Sequence, residues 1–182
     1  MDRSGDLAVR CKMLIKAYGE MWNPEIVNWG SRGKGNSGTL LGKVSINGKK
    51  LDVDFWSAVG MYVLYDDFRP VYVGKAFGTL LGPRLRNHLT DRLVGRWDMF
   101  SWYSMSTVNS TSKSVRTPGQ RQIKPDTILN TLEAISIAIT DPPLNRKKES
   151  LPDAIEAIQV GGSPKALRTY LEEIQDKLDQ WE

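Results

Sequence analysis

Hydrophobic and polar positions change period several times along the chain, and each change marks an element. Over residues 6 to 21, Leu7, Val9, Met13, Leu14, Ala17 and Met21 recur at helical spacing, which predicts an N-terminal helix fraying at Gly19. Residues 30 to 38 hold four glycines and two basic residues in nine positions, the composition of a flexible loop. The period then falls to two. Val44, Ile46, Leu51, Val53 and Phe55 alternate on either side of Asn47-Gly48, a dipeptide that supplies the positive φ angles of a tight turn, so residues 40 to 56 read as a β-hairpin.

A second hairpin is predicted at Gly60 to Tyr65 and Val71 to Gly74, joined by the polar turn from Asp66 to Pro70. Leu81, Leu85 and Leu89 form the apolar stripe of a helix over 79 to 91, with Pro83 tolerated near its start. Phe100 to Met105 reads as a third strand. Thr107 to Lys124 is polar, basic and without period, the signature of a long surface loop. Asp126 is placed to cap a helix running to Thr140, which Asp141-Pro142-Pro143 ends. Pro152 then opens a short helix broken at Gly161-Gly162, and Ser163 caps a last amphipathic helix to about Trp181.

Composition narrows what these elements serve. With 182 residues, 40% hydrophobic and 25% charged, the chain has the make-up of one compact domain with added elements, not of a disordered or collagen-like one. No apolar run approaches a membrane span, and the charged start Met1-Asp2-Arg3 leads into no signal-peptide core, so a cytoplasmic setting without membrane is expected. One cysteine, Cys11, and one histidine, His88, are too few for a Cys/His zinc site, so a metal here would be a hard cation on oxygen. Residues 1 to 149 carry a net charge of +8 and residues 150 to 182 a net charge of −4. The basic body favours a polyanionic partner, nucleic acid before acidic membrane. The acidic end either packs on that body or pairs with its twin as a homodimer.

Several residues have the chemistry such a partner calls for. Gly33-Lys-Gly35-Asn-Ser-Gly38 matches a dinucleotide fingerprint in letters only, because a strand follows it where a helix is needed; Arg32 and Lys34 remain able to touch a DNA backbone. Strand alternation can bring Tyr62 and Tyr72 side by side, either for packing or for a site, while Gly60 and Gly74 allow close approach. Arg84 and His88, four apart, share a helix face next to the leucine stripe. They suit a phosphate and a proton, or a solvent-facing pair capped by Asp91. Ile128, Leu132, Ile135 and Ile139 line one face of the next predicted helix while Leu129 and Ile137 flank Glu133, where a carboxylate is costly unless it is paired, reaches water or binds a cation. Asn145, after Pro142-Pro143-Leu144, adds a neutral donor and acceptor beside Arg146 and Lys147.

In order, Gly60-Met-Tyr62, Tyr72-Val-Gly74-Lys75, Arg84 with His88, Glu133 and Asn145 resemble the GIY-YIG nuclease superfamily over about residues 58 to 148. Met61 and Val73 are mild variants of the paired motifs, and the polar loop before the glutamate helix departs from the pattern. The resemblance implies an α+β fold: a small, mainly antiparallel three-stranded sheet flanked by helices, with an N-terminal helix and hairpin (1 to 57) and acidic C-terminal helices (149 to 182) as extensions. It also implies a metal-dependent endonuclease that hydrolyses phosphodiester bonds of double-stranded DNA, of the restriction kind. A structure-specific or mobile-element nuclease and a non-catalytic DNA-binding module are the alternatives. Carried over, Glu133 would hold Mg²⁺ or Mn²⁺ and Arg84 would stabilise the phosphate. Tyr62 would help activate water, with Tyr72, Lys75, His88 and Asn145 around it. Arg32, Lys34, Arg86, Lys113, Arg116, Arg121, Lys124, Arg146 and Lys147 would contact DNA.

Overall fold

The computed structural model describes residues 13–31, 37–119, 123–141, 151 and 153–161. Its strands are β1 (Ala17–Trp22), β2 (Leu41–Ile46), β3 (Lys49–Asp54), β4 (Gly60–Asp66), β5 (Arg69–Ala76), β6 (Met99–Ser104), β7 (Thr107–Asn109), β8 (Ser114–Arg116), β9 (Ile155–Glu156) and β10 (Ile158–Gln159). The α-helices among the described residues are α1 (Leu81–Asn87) and α2 (Pro125–Thr140). The main sheet has five strands in the order β5-β4-β6-β1-β9, antiparallel except where β9 runs parallel to β1. β10-β2-β3 and β7-β8 form two smaller antiparallel sheets.

Both predicted hairpins form. Asn47 and Gly48 turn between β2 and β3 at φ 50° and 74°, and Asp67 and Phe68 turn between β4 and β5 at φ 48° and 62°. The three antiparallel strands β5, β4 and β6 are therefore present as expected, but inside a larger, mainly strand-built fold. Where the helical spacing predicted helix, Ala17–Trp22 instead pairs with β6. Tyr18 and Trp22 favour an extended chain, Gly19 disfavours helix, and a Cβ on Gly19 would collide with the indoles of Trp22 and Trp102. The first part of that predicted helix, residues 6 to 12, lies outside the described residues, as does the terminal helix from Ser163. The short helix expected after Pro152 is replaced by β9 and β10, which join β1 and β2. Sequence flanking residues 58 to 148 thus adds β1 from one side and β9 from the other to the sheet that holds β5, β4 and β6.

Two further expectations change. The segment predicted as loop contains the β7–β8 hairpin, whose Lys113 carbonyl accepts from the Asp54 amide at 3.0 Å. In α2, Pro125 takes the first helical position with its φ already set, so Lys124 is the cap and Asp126 falls in the first turn.

Alternation along the central strands separates two cores. Tyr62, Leu64, Phe100 and Trp102 point to one face, where Val44, Val53, Phe55 and α1 residues Leu81 and Leu85 cover them. Val63, Tyr65, Met99 and Tyr103 point to the other, covered by Met13, Ile15 and the α2 residues Ala134 and Ile135. Among the described residues no helix is long and apolar enough to cross a membrane.

Candidate active site

The first face carries a cluster of polar side chains drawn from three elements. The Tyr62 hydroxyl lies 2.7 Å from His88 Nε2, and His88 Nδ1 lies 2.7 Å from an Asp91 carboxylate oxygen. Tyr72 packs its ring edge-on to His88 at 5.1 Å and tilted to Tyr62 at 6.2 Å. Tyr62 and His88 are buried, at 0% and 3% exposed, whereas Tyr72 and Arg84 are half-buried at the rim.

Each position has a local cause. Tyr62 is opposite Gly74 in the β4–β5 register, and a Cβ on Gly74 would collide with Tyr62 Cζ and Oη. Only a glycine there lets the phenol lie across β5 towards α1. The helix is held by its own first amides, since Leu81 and Gly82 donate to the carbonyls of Ala58 and Trp56 at 2.9 Å each. Gly82 is equally demanded, because a Cβ would strike the Trp56 ring. His88 then closes the helix C-terminus, and Asp91 folds back to accept from both His88 and the Leu93 amide, at 2.8 Å.

Electrostatics follow from this burial. Desolvation pushes the Tyr62 phenol up to about 12, and Tyr72 adds to the rise while the Arg84 charge opposes it. Burial also raises Asp91, but hydrogen bonds from the Leu93 amide and His88, with the charges of His88 and Arg92, outweigh it and hold the carboxyl below its ordinary range. Arg84 keeps a buried Nε without a hydrogen-bond partner, while its charge acts on the Tyr62 phenol.

Of the residues singled out from sequence, Tyr62, Tyr72, Arg84 and His88 come together. His88 is buried, so the solvent-facing alternative does not hold for it. Lys75 does not join them: it is opposite Met61 in the register, one residue out of phase with Tyr72 and Gly74, and exposed on the other face. Glu133 is exposed on α2, whose buried residues pack on the sheet face opposite Tyr62. Leu129 and Leu132 are themselves 64% and 57% exposed, so of the alternatives left open the carboxylate takes the one that reaches water. Arg86 is committed to packing, donating to the Trp29 carbonyl at 3.3 Å with its guanidinium 5.7 Å from the Trp56 ring centre. Lys113, Arg116 and Lys124 are exposed, and among the described residues no carboxylate pairs with them. Arg32, Lys34, Arg121, Asn145, Arg146 and Lys147 lie outside the described residues.

Sequence reasoning gave Asp91 only a capping role. Its signal was present as a carboxylate three residues after the sole histidine. Among the described residues no three His, Cys, Asp or Glu side chains gather where they would hold a metal ion. No family model matches the chain, and neither a curated protein nor a solved structure matches it.

Proposed function

We propose that the chain is an endonuclease hydrolysing phosphodiester bonds of double-stranded DNA, built around Tyr62, Tyr72, Arg84 and His88. The observation that carries this reading is the juxtaposition itself. A buried tyrosine and histidine 2.7 Å apart stand behind a partly buried arginine whose charge acts on the tyrosine. Arginine holds a phosphate oxygen and offsets charge as the phosphoryl group reacts. The ordered letters of the GIY-YIG pattern and the +8 charge of residues 1 to 149 support the same substrate.

In that reaction Tyr72 and Arg84 meet the phosphodiester at the rim, and Tyr62 with His88 forms the proton-handling pair behind them. The resemblance also asks for Mg²⁺ or Mn²⁺ on Glu133. One exposed carboxylate on the far side of the sheet from Tyr62 does not by itself compose a cation site with this cluster, so the steps assigned to Tyr62, Tyr72, Arg84 and His88 rest on those groups alone.

A second reading, a DNA-binding module without catalysis, is favoured by one observation: Tyr62 is fully buried and its phenol is held in the protonated form. Incubating supercoiled plasmid with Mg²⁺, Mn²⁺ or EDTA separates the two. Discrete fragments whose sequenced ends share a motif support a site-specific nuclease. Cutting at branches or nicks alone supports the structure-specific alternative. Retarded but uncut DNA under every condition removes the catalytic reading.

A further inference from the structure

Asp91 is the outer member of a three-residue chain. Its side chain is 39% exposed, whereas that of His88, to which it is hydrogen-bonded, is 4% exposed. An ionised carboxylate can only accept hydrogen bonds, so the 2.7 Å contact places a proton on His88 Nδ1. In the neutral ring the other nitrogen then carries the lone pair. That nitrogen, Nε2, is the one 2.7 Å from Tyr62 Oη, so the tyrosine donates and the histidine accepts. The remaining groups around the ring do not compete for either nitrogen: Tyr72 meets it edge-on, Arg84 acts on Tyr62, Arg92 lies beside Asp91, and the Trp97 indole donates to the His88 carbonyl at 3.5 Å.

We infer that Asp91 is a positioning residue for the proposed hydrolysis, fixing His88 as its Nδ1–H tautomer so that Nε2 receives the proton of Tyr62. The reaction rests on the nuclease reading; the tautomer rests on the geometry alone. The protons balance as a relay. A water gives a proton to Tyr62 Oη as the tyrosine's own O–H bond breaks and an Nε2–H bond forms. The resulting hydroxide attacks phosphorus, the phosphorus–oxygen bond to the leaving alkoxide breaks, and that alkoxide takes a proton from solvent. The imidazolium, stabilised by Asp91, then returns its Nε2 proton to Tyr62 Oη as the phenol passes its own proton to a water in the cleft, and both the ring and the tyrosine are reset. Asp91 stays ionised throughout. This arrangement also gives Tyr62 a proton acceptor on its own face of the sheet, a service Lys75 on the opposite face does not provide.

Asp91→Asn is a selective probe. It keeps the oxygen that accepts from the Leu93 amide and replaces the oxygen facing Nδ1 by an amide donor. In the untagged chain His88 is the only histidine, so two-bond ¹⁵N–¹H correlation spectra of ¹⁵N-histidine protein report its tautomer without overlap. At a pH where the ring is neutral, the wild type is expected to be protonated at Nδ1 and Asp91→Asn at Nε2, with Asp91→Glu retaining the wild-type pattern. Plasmid cleavage is expected to fall by about 10²-fold or more in Asp91→Asn, as in catalytic triads with the wrong tautomer, to recover in part in Asp91→Glu, and DNA binding to be unchanged. A wild-type ring protonated at Nε2, an unchanged tautomer in Asp91→Asn, or a switched tautomer with an unchanged cleavage rate overturns the inference. A chain that shows the Nδ1–H tautomer yet cuts no DNA overturns the nuclease reading and the catalytic half of this one, and leaves Asp91 as the group that orients His88.

Discussion

Tyr62 and Gly74 face each other across the β4–β5 register, and the absent side chain of one makes room for the phenol of the other. The paired tyrosine and glycine of the two motifs are therefore parts of one packing unit. Adding a single methyl tests it. Gly74→Ala is expected to destabilise the protein by about 1–3 kcal/mol, because neither the strand backbone nor a ring hydrogen-bonded to His88 yields easily. The same change displaces Tyr62 from His88 and lowers cleavage. Urea denaturation gives the first quantity and a plasmid assay the second; an alanine variant with wild-type stability would mean that the ring has another place to sit.

Burial of the tyrosines sets a limit at high pH. With its phenol pushed up to about 12, Tyr62 binds its proton more tightly when folded than when unfolded. Its stabilising contribution is complete below pH 10 and lost as the pH climbs from 10 towards 12. Two pKa units correspond to about 2–3 kcal/mol. Tyr18, Tyr65 and Tyr103 are raised as well, so wild-type stability should fall steeply across that window. Tyr62→Phe should fall less steeply, since phenylalanine has no proton to lose. Denaturation curves at pH 9, 10 and 11 compare the two, and parallel losses would show that the Tyr62 proton is not held by folding.

Legibility from sequence follows the range of the interactions. The β2–β3 and β4–β5 hairpins are readable because Asn47-Gly48 and period-two alternation are local signals. Ala17–Trp22 reads as helix in isolation because its partner, β6, lies some eighty residues away, and pairing to it outweighs the spacing of Leu14, Ala17 and Met21. β9 and β10 depend in the same way on distant β1 and β2. Tyr62, Tyr72, Arg84 and His88 are legible as a set because they fall within 27 residues on three adjoining elements. Lys75 breaks from that set for a reason strand geometry supplies: with Tyr72 and Gly74 on one face, the next residue must point to the other. Glu133 cannot be judged from its own helix alone. Which face of α2 is covered depends on Ala134 and Ile135 meeting Val63 and Tyr65, information that no spacing within the helix contains.

Lys75 and Arg84 should consequently behave as opposites. Lys75→Ala removes an exposed side chain from the face away from Tyr62, and is expected to leave cleavage and stability close to wild type. Arg84→Ala removes the cationic partner that opposes the rise of the Tyr62 phenol and the guanidinium proposed to meet the phosphate at the rim. Loss of cleavage by about 10²-fold or more is expected, the scale seen when one charge-stabilising donor is deleted from an active site. Steady-state cleavage of a labelled duplex measures both. Equal losses would mean that the register does not separate the two side chains during the reaction.

The β7–β8 hairpin combines packing with exposed charge. Val108 and Val115 pack on the same core as Tyr62, and Lys113 gives its carbonyl to Asp54, so removing the whole segment would expose core and confound any binding measurement. Charge removal avoids this. Lys113 and Arg116 are exposed, and among the described residues neither has a carboxylate partner whose loss would complicate the change. If both contact DNA phosphates, Lys113→Gln with Arg116→Gln should lower the slope of log affinity against log salt by about 2, at roughly 0.9 per lost contact. Stability should be unaffected, because both side chains already stand in water. Binding titrations of one duplex across a salt series supply the slope. An unchanged slope would assign the hairpin to the fold alone and place the DNA contacts elsewhere on the basic body.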